Sequence, residues 1–471
     1  MTDDRARFTR RVRSKLRREA HDLITPGPPT VQVLRPIGPE VPTDAHVQEV
    51  LDLCMRTGEV LLSSGESAEE TTGVMLRMAA AAGLSAVDVD ITFTSITMCC
   101  HRGMAATPMT SMRLVRYRTL DLKQLLAVGR VIDRVEGHRV DVRQAGAELY
   151  EAVTAPHPYP RWVATSGWGA LAAGIAVLLG GGAITGLAAF GVTAVIDRIG
   201  RLLNRRGLPA FFQQVIGGML ATLATVGLFA LGAFPPGTRP SLVIAATITV
   251  LLSGLSLVGT VQDAISGYYV TSAGRAVEIA LLSAGLLVGV VLGLRLGLEF
   301  ARPLEVAGEL PRGSLGRLTL SLLSAGIAAA GFAVAGYAPG RSVLVAGVAG
   351  AAGWTVYAVL GQFAGLGPVA ATGVAAVVVG AASGLLRRGG GVPPLVVVLA
   401  GITPLLPGFS AYRGFYQLAV EGVSDGLVTI TLALAIGLAL AAGVAFGDFL
   451  TRPHPRSEQD HREPAPDARP A

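Results

Sequence analysis

GTVQDAISGYYVTSAGRAVE, residues 259–278, is the stretch on which the reading of this chain turns. It carries Gln262, Asp263, Tyr268, Tyr269, Arg275 and Glu278 between two apolar runs, each long enough to cross a membrane. On both sides charge disappears, with no Asp, Glu, Lys or Arg in 240–262 or 279–294. The same holds for 163–196, 207–238, 318–340, 342–386, 389–412 and 426–447. A bilayer core excludes unpaired charge, so runs of this length read as membrane spans and the opening stretch as a polar interruption among them.

Composition agrees. Only 15% of the 471 residues are charged, against about 25% in soluble domains, while 51% are hydrophobic and 60 are glycine. Mean hydropathy is +0.54. The apolar residues are unevenly distributed, dividing the chain at Arg161 into a soluble-looking part, an apolar part to about residue 450 and a polar tail. The net charge of +6 is concentrated in RARFTRRVRSKLRR (5–18), followed by the Pro-rich ITPGPPTVQVLRPIGPEVPT (24–43). Beside a membrane domain such a basic tail points to anionic lipid or solvent rather than nucleic acid. It lacks the apolar core of a secretory signal, which places residues 1–161 in the cytosol as an expectation. Cys54, Cys99 and Cys100 then sit in a reducing compartment and imply no disulfide framework.

About 20 apolar residues are needed per crossing. The charge-free runs, split at GGG (180–182) and GLGP (365–368), give ten expected spans. They fall near 163–180, 183–197, 209–233, 241–262, 276–298, 317–337, 342–363, 367–386, 392–408 and 427–449, with a re-entrant hairpin as the alternative for one of the first two. Cationic residues favour cytoplasmic loops. DRIGRLLNRRG (197–207), Arg275, Arg341, Arg387, Arg388 and Arg452 are all internal if both termini are cytoplasmic. The loop 299–316 is then external and divides the spans five and five. An odd number per half makes the halves face opposite ways, the inverted-repeat plan of secondary transporters. LSLVGTVQDAISGYYV (255–270) and LLPGFSAYRGFYQLAV (405–420) occupy the same place in each half.

Within the soluble part, AHVQEVLDLCMRTGEVLLSS (45–64) has helical spacing, and GES (65–67) supplies a break and an N-cap before AEETTGVMLRMAAAAGL. VDVDITFTSITMCCHR alternates like a hairpin, MRLVRYRT reads as a third strand, and 120–137 and 141–153 return to helical period. This is a small α+β domain. Ser67 has no nucleophile-elbow context, His101 has no second group of metal ligands at usable spacing, and neither a Walker A nor a Rossmann fingerprint occurs. Neither an enzyme nor a cofactor is expected.

The GES–AEETTGVMLRMAAAAGL hairpin pattern, RRGLPAFFQQVIGGMLATL (205–223) and the ten-span region together resemble the bacterial threonine/serine exporters over residues 45–450. The resemblance implies secondary export of L-threonine and L-serine across the plasma membrane, driven by the proton motive force, with protons as coupling ion. The expected organisation is a basic tail (1–44), a cytosolic α+β domain (45–161), a membrane half (162–298), an external loop (299–316), a second half (317–450) and a cytosolic tail (451–471). The bilayer and the amino-acid substrate are its partners, and a homo-oligomer is compatible with the sequence.

A zwitterion crossing a membrane needs donors for its carboxylate and acceptors for its ammonium, which broken helices supply. The substrate and ion site is therefore expected at the opening stretch (Gln262, Asp263, Tyr268, Glu278), at its counterpart behind Pro404 and Pro407 (Tyr412, Arg413, Tyr416), and at Gln213 and Gln214 in PAFFQQVIGG. Intramembrane carboxylates such as Asp263 and Glu278 are suited to carrying a proton. For these two the competing reading is a cytosolic interface, with Asp263 solvated and Glu278 near a helix N-terminus. For the glutamines it is a plain interhelical hydrogen bond. At the level of function the competing class is a membrane-anchored sensor whose domain binds a small ligand.

Overall fold

The computed structural model describes residues 42–102, 107–116, 120–252, 254–298, 315–389, 394–418 and 423–451. The expected basic tail, nearly all of the loop 299–316 and the tail beyond 451 lie outside these residues.

The amino-terminal domain opens with α1 (Asp44–Ser63), whose N-cap Thr43 accepts a hydrogen bond from the His46 N–H. Gly65, at φ +95°, turns the chain in a conformation that costs glycine least. Ser67 then caps α2 (Ala68–Ala81) by accepting from the Glu70 N–H, the role its position suggests. Strands β1 (Val87–Thr92), β2 (Ser95–Cys100) and β3 (Met109–Leu114) form one antiparallel sheet in sequence order, with Ile91 opposite Ile96 and Met98 opposite Ser111. Helices α3 (Leu122–Glu136) and α4 (Val142–Thr154) pack on α1 and α2, which cover the sheet. Val47, Val50, Cys54, Met75, Met78, Ile96, Met98 and Val128 are fully buried in one core.

The apolar region contains α5 (Arg161–Leu178), α6 (Ala183–Arg205), α7 (Ala210–Ala230), α8 (Ser241–Leu251), α9 (Gly254–Ile265) and α10 (Tyr269–Leu298). After the long loop come α11 (Leu315–Ala335), α12 (Gly340–Ala358) with a π turn at Val359–Phe363, and α13 (Pro368–Gly389). The series closes with α14 (Pro394–Ile402) continued by a 3-10 turn (Thr403–Leu405), then α15 (Gly408–Tyr416) and α16 (Val423–Thr451). Among the described residues seven helices are long and apolar enough to cross a membrane, and up to nine if each of two bent pairs counts as one span. Nine of the ten expected spans thus have a counterpart among the described residues. The helix at the first expected span, α5, is not among them, because Arg161, Thr165 and Ser166 occupy its opening turns.

Two expected spans are bent. Ser241–Leu251 and Ser256–Ile265 meet at 48°, and Val396–Leu405 and Gly408–Gly414 at 41°. The second break follows from Pro404 and Pro407, which cannot donate to the helical ladder. At the first, Leu252 turns to extended backbone (ψ 134°). The fifth span starts at Tyr269 rather than near 276, so Arg275 and Glu278 lie within a helix. Only Ser266, Gly267 and Tyr268 connect α9 to α10.

Packing pairs recur in the two halves. α5 lies on α6 as α11 lies on α12, α7 on α10 as α13 on α16, and α9 on α10 as α15 on α16. Across the halves, α5 packs on α11, α8 on α15 and α9 on α16. The tightest seams are built of small residues, which let backbones approach. A Cβ on Gly289 would stand 2.0 Å from the Val215 carbonyl oxygen, one on Gly380 2.4 Å from that of Val444, and one on Gly167 2.5 Å from the Ala335 nitrogen.

Candidate functional site

The two bends lie against each other, α8 of the first packing on α15 of the second. A cavity of about 230 Å³ opens between them, lined by Thr249, Val250, Leu252 and Ser256 of the first bent pair and by Leu399, Thr403 and Leu406 of the second. Trp168, Leu171, Ile175 and Phe332 complete its apolar walls, and Arg275 brings a positive charge to it. Ser63, Ser64 and Gly65, from the turn between α1 and α2, close one side. A second cavity of about 80 Å³ is lined by Trp354, Tyr357, Pro404, Pro407, Phe409 and Ser410 among others. Both cavities share Ile175, Thr249, Thr403 and Leu406, so these four side chains form the wall between them.

Thr249 and Thr403 occupy corresponding positions, each two residues before the last residue of the first arm of its bend. The Thr249 hydroxyl donates to the Ala245 carbonyl (2.8 Å) and the Thr403 hydroxyl to that of Leu399 (2.6 Å). A hydroxyl that has given its proton to its own helix offers lone pairs outward. The wall therefore presents acceptors suited to an ammonium or a hydroxyl, and Arg275 a donor suited to a carboxylate. Opposite the first break, the Gln214 side-chain amide donates to the Leu251 carbonyl (3.1 Å), which the end of α8 leaves without a helical donor.

The expected site residues divide into groups. Asp263 is fully buried, at 0% exposure, and pairs with Arg275 (2.7 Å), itself 2% exposed. Its other oxygen accepts from the Ala68 N–H at 2.7 Å, while Arg275 donates to the Glu66 carbonyl at 3.0 Å. Asp263 is thus not solvated, and it addresses the amino-terminal domain; its partner Arg275, not Asp263 itself, lines the cavity. Gln262 is half-buried on α9 and Glu278 half-buried on α10. Tyr268 packs against the core of the amino-terminal domain. Gln213 ties down the turn before α7 by donating to the Leu208 carbonyl (2.6 Å).

Tyr412, Arg413 and Tyr416 lie elsewhere. Tyr412 is buried among Val226, Ile244, Ile248 and Leu294, with the Tyr416 ring 6.4 Å away, and Arg413 is half-buried on the same helix. Neither cavity is lined by Tyr412, Arg413 or Tyr416, although Gly408, one turn before Tyr412 on the same helix, abuts Thr249. Thr249, Ser256 and Thr403 were absent from the expected set. Their only signal is position, a hydroxyl just before or just after a helix break.

The amino-terminal domain is bonded to the helical region at two turns. At the turn between α9 and α10, the Thr271 hydroxyl donates to the Ile91 carbonyl (2.9 Å) and accepts from the Phe93 N–H (3.0 Å), and Ser266 donates to Glu69. At the turn between α11 and α12, the Leu122 N–H donates to the Gly336 carbonyl (2.7 Å) and the Tyr159 hydroxyl to that of Val334 (2.8 Å). Burial, with Tyr337 and Asp121 nearby, pushes the Tyr159 phenol up to about 12, which keeps it a donor.

A polytopic bundle with two adjacent bent spans and a cavity between them is the build of a membrane transporter. A threonine/serine exporter family model matches residues 52–297, and a second, described as Threonine/Serine exporter, ThrE, matches 321–450. The chain belongs to the threonine/serine exporter family, and so is a multi-pass membrane transporter rather than an enzyme. It is 39% identical over 416 residues to a Mycobacterium tuberculosis protein named "Probable threonine/serine exporter", covering 87% of this chain and 78% of that protein. It is 36% identical over 422 residues to the threonine/serine exporter of Corynebacterium glutamicum, covering 88% and 86% respectively. A more distant likeness, 25% identity over 253 residues, joins it to "Probable succinate transporter subunit YjjP" of Escherichia coli, covering 52% of this chain and 93% of that protein. No solved structure matches the chain.

Proposed function

We propose that this chain exports L-threonine and L-serine across the bacterial plasma membrane through the cavity between its two bent spans, coupled to proton movement. The observation that carries this reading is the wall of Thr249 and Thr403 between two cavities, with Arg275 on one side of it. Its outward lone pairs match a substrate ammonium or hydroxyl, and Arg275 matches a carboxylate. The apolar remainder of the cavity leaves little for a larger polar side chain.

The inverted five-plus-five repeat is part of the proposal. It draws support from the matched packing pairs, from the corresponding threonines, and from the two family models, which divide the chain on either side of the loop near residue 300. Both termini and the amino-terminal domain are placed in the cytoplasm, on the strength of the basic 197–207 segment. The two turns that hold the domain, after α9 and after α11, fall on one face under that topology. Alternating access is then the opening of one cavity while the four shared side chains close the other. Asp263 and Glu278 are the proposed proton carriers, Asp263 taking a proton only when Arg275 leaves it.

Purified protein in liposomes with an imposed pH gradient tests the whole. Threonine flux that follows the gradient in sign and size is expected, and flux indifferent to it removes the proton. Asp263→Asn, which keeps shape and loses charge, should flatten the pH dependence; wild-type export across the pH range would exclude Asp263 as carrier. In cells fed a threonine dipeptide, deletion should raise internal threonine, which loss of a sensor would not do directly.

A further inference from the structure

The opening stretch raises a question that transport alone does not answer. A buried Asp–Arg pair is costly to desolvate, and one inside the bilayer could have been replaced by apolar residues. Here the pair reaches out of the bundle. Asp263 holds the first N–H of α2, at Ala68, and Arg275 holds the carbonyl of Glu66. The Ala68 N–H opens a helix and has no intrahelical acceptor, so Asp263 is what satisfies it. The loop so gripped, Gly65–Ser67, continues directly into Ser63 and Ser64, which wall the central cavity. One guanidinium therefore touches three things: the carboxylate that fixes the domain, the loop of the domain, and the space where a substrate would sit.

We propose that the amino-terminal domain is the gate on its side of the cavity, that Asp263 and Arg275 are its latch, and that the substrate's own carboxylate opens it. A zwitterion entering the cavity presents a carboxylate to Arg275 and competes with Asp263 for it. Arg275 swings its charge from a fixed anion to the ligand. It lets go of the Glu66 carbonyl, and Asp263, no longer held by the guanidinium, loosens its bond to Ala68. The turn Ser63–Gly65 then withdraws from the cavity mouth. The exchange strips the buried Asp263 carboxylate of its cation, so it proceeds with uptake of a proton by Asp263, which leaves no unpaired charge behind. The device acts by differential affinity, since the closed state offers Arg275 to Asp263 and the open state offers it to the ligand. It rests on the proposed transport site, and it assigns the domain a mechanical part in transport instead of a sensing role.

Residue-resolved hydrogen exchange on the full-length chain in lipid nanodiscs reads the latch directly. Two amides report it, Ala68, which is bonded to Asp263, and Phe93, which is bonded to the Thr271 hydroxyl. Saturating L-threonine should speed exchange at both by at least about fivefold, as local opening does. L-threoninamide, which keeps the amine and hydroxyl but lacks the carboxylate, should leave both unchanged. Asp263→Asn should give fast exchange at Ala68 without any ligand, and the two wild-type comparisons decide the matter even if that variant does not fold. Exchange that threonine leaves unchanged or slows overturns the gate. Equal acceleration by threonine and threoninamide overturns the carboxylate exchange. Threonine flux measured on the same preparation separates the two readings: flux with unmoved amides retains the transport site and discards the gate, whereas absent flux discards the transport site itself.

Discussion

Gly408 is the most exacting test of how the two bent spans meet. It begins α15, and a Cβ placed there would lie 2.1 Å from Thr249 Oγ1, 2.4 Å from its Cγ2 and 2.5 Å from its Cβ. The atoms in the way are not a flexible tip. Thr249 is β-branched, so its χ1 has few alternatives in a helix, and its hydroxyl is committed to the Ala245 carbonyl at 2.8 Å. Gly408→Ala must therefore push the arms apart or rotate Thr249. Overpacking of this kind costs about 1–3 kcal/mol, and loss of the Thr249 bond adds about 0.5–1.5 kcal/mol. A destabilisation of about 2–4 kcal/mol follows if both occur.

Thermal unfolding in detergent and threonine flux in liposomes measure the two consequences. Gly408→Ala should melt lower and lose at least about tenfold in flux, since only about 1.4 kcal/mol is needed for a factor of ten. The swap Gly408→Ala with Thr249→Gly returns the space and should restore melting. It should not restore flux, because the outward lone pair of Thr249 is gone. A Gly408→Ala protein that melts and transports like its parent would show that the spans do not cross tightly at this point, and the wall between the cavities would lose its basis.

Four further outcomes are expected. Gln214→Leu should lower both stability, by about 1 kcal/mol, and flux, because it strips the donor from the Leu251 carbonyl; Gln213→Leu, which frees only a turn, should leave flux intact in the same assay. Thr403→Val should raise KM for threonine by about tenfold through the loss of one acceptor, while Thr403→Ser should stay near wild type in the same flux measurement. Topology reporters fused at residues 203, 306 and 460 should read inside, outside and inside, and an outside signal at 203 would remove the topology and the inverted repeat together. Burial pushes the Cys54 thiol up to about 12, so at pH 8 it stays protonated and unreactive; mass spectrometry after maleimide treatment of folded protein should find Cys99 modified first and Cys54 only after denaturation.

The membrane character was legible because lipid imposes a strict rule on sequence. Charge-free runs such as 342–386 can hardly be anything else, and the prolines at 404 and 407 announce a break by their chemistry. The break after Leu251 carries no proline, which is why 241–262 read as one span. Of the ten expected spans, the one at α5 falls outside the seven to nine found among the described residues. Hydropathy treats the segment after Arg161 like the others, yet α5 carries polar residues in its first turns and packs Gly167 and Gly174 directly on α11.

The site was less legible, for a reason of distance along the chain. Asp263 and Arg275 both stood in the opening stretch, but their meaning depends on Ala68 and Glu66, 195 and 209 positions away. No local pattern encodes a bond of that reach. Thr249 and Thr403 were hidden differently, since a threonine bonded to its own helix four residues back is commonplace in these spans, as at Thr222, Thr225 and Thr355. Only the cavity behind two of them distinguishes a recognition group from an ordinary one. The polar stretch between two spans is then explained: Asp263 and Arg275 are buried because a folded domain rather than water meets them.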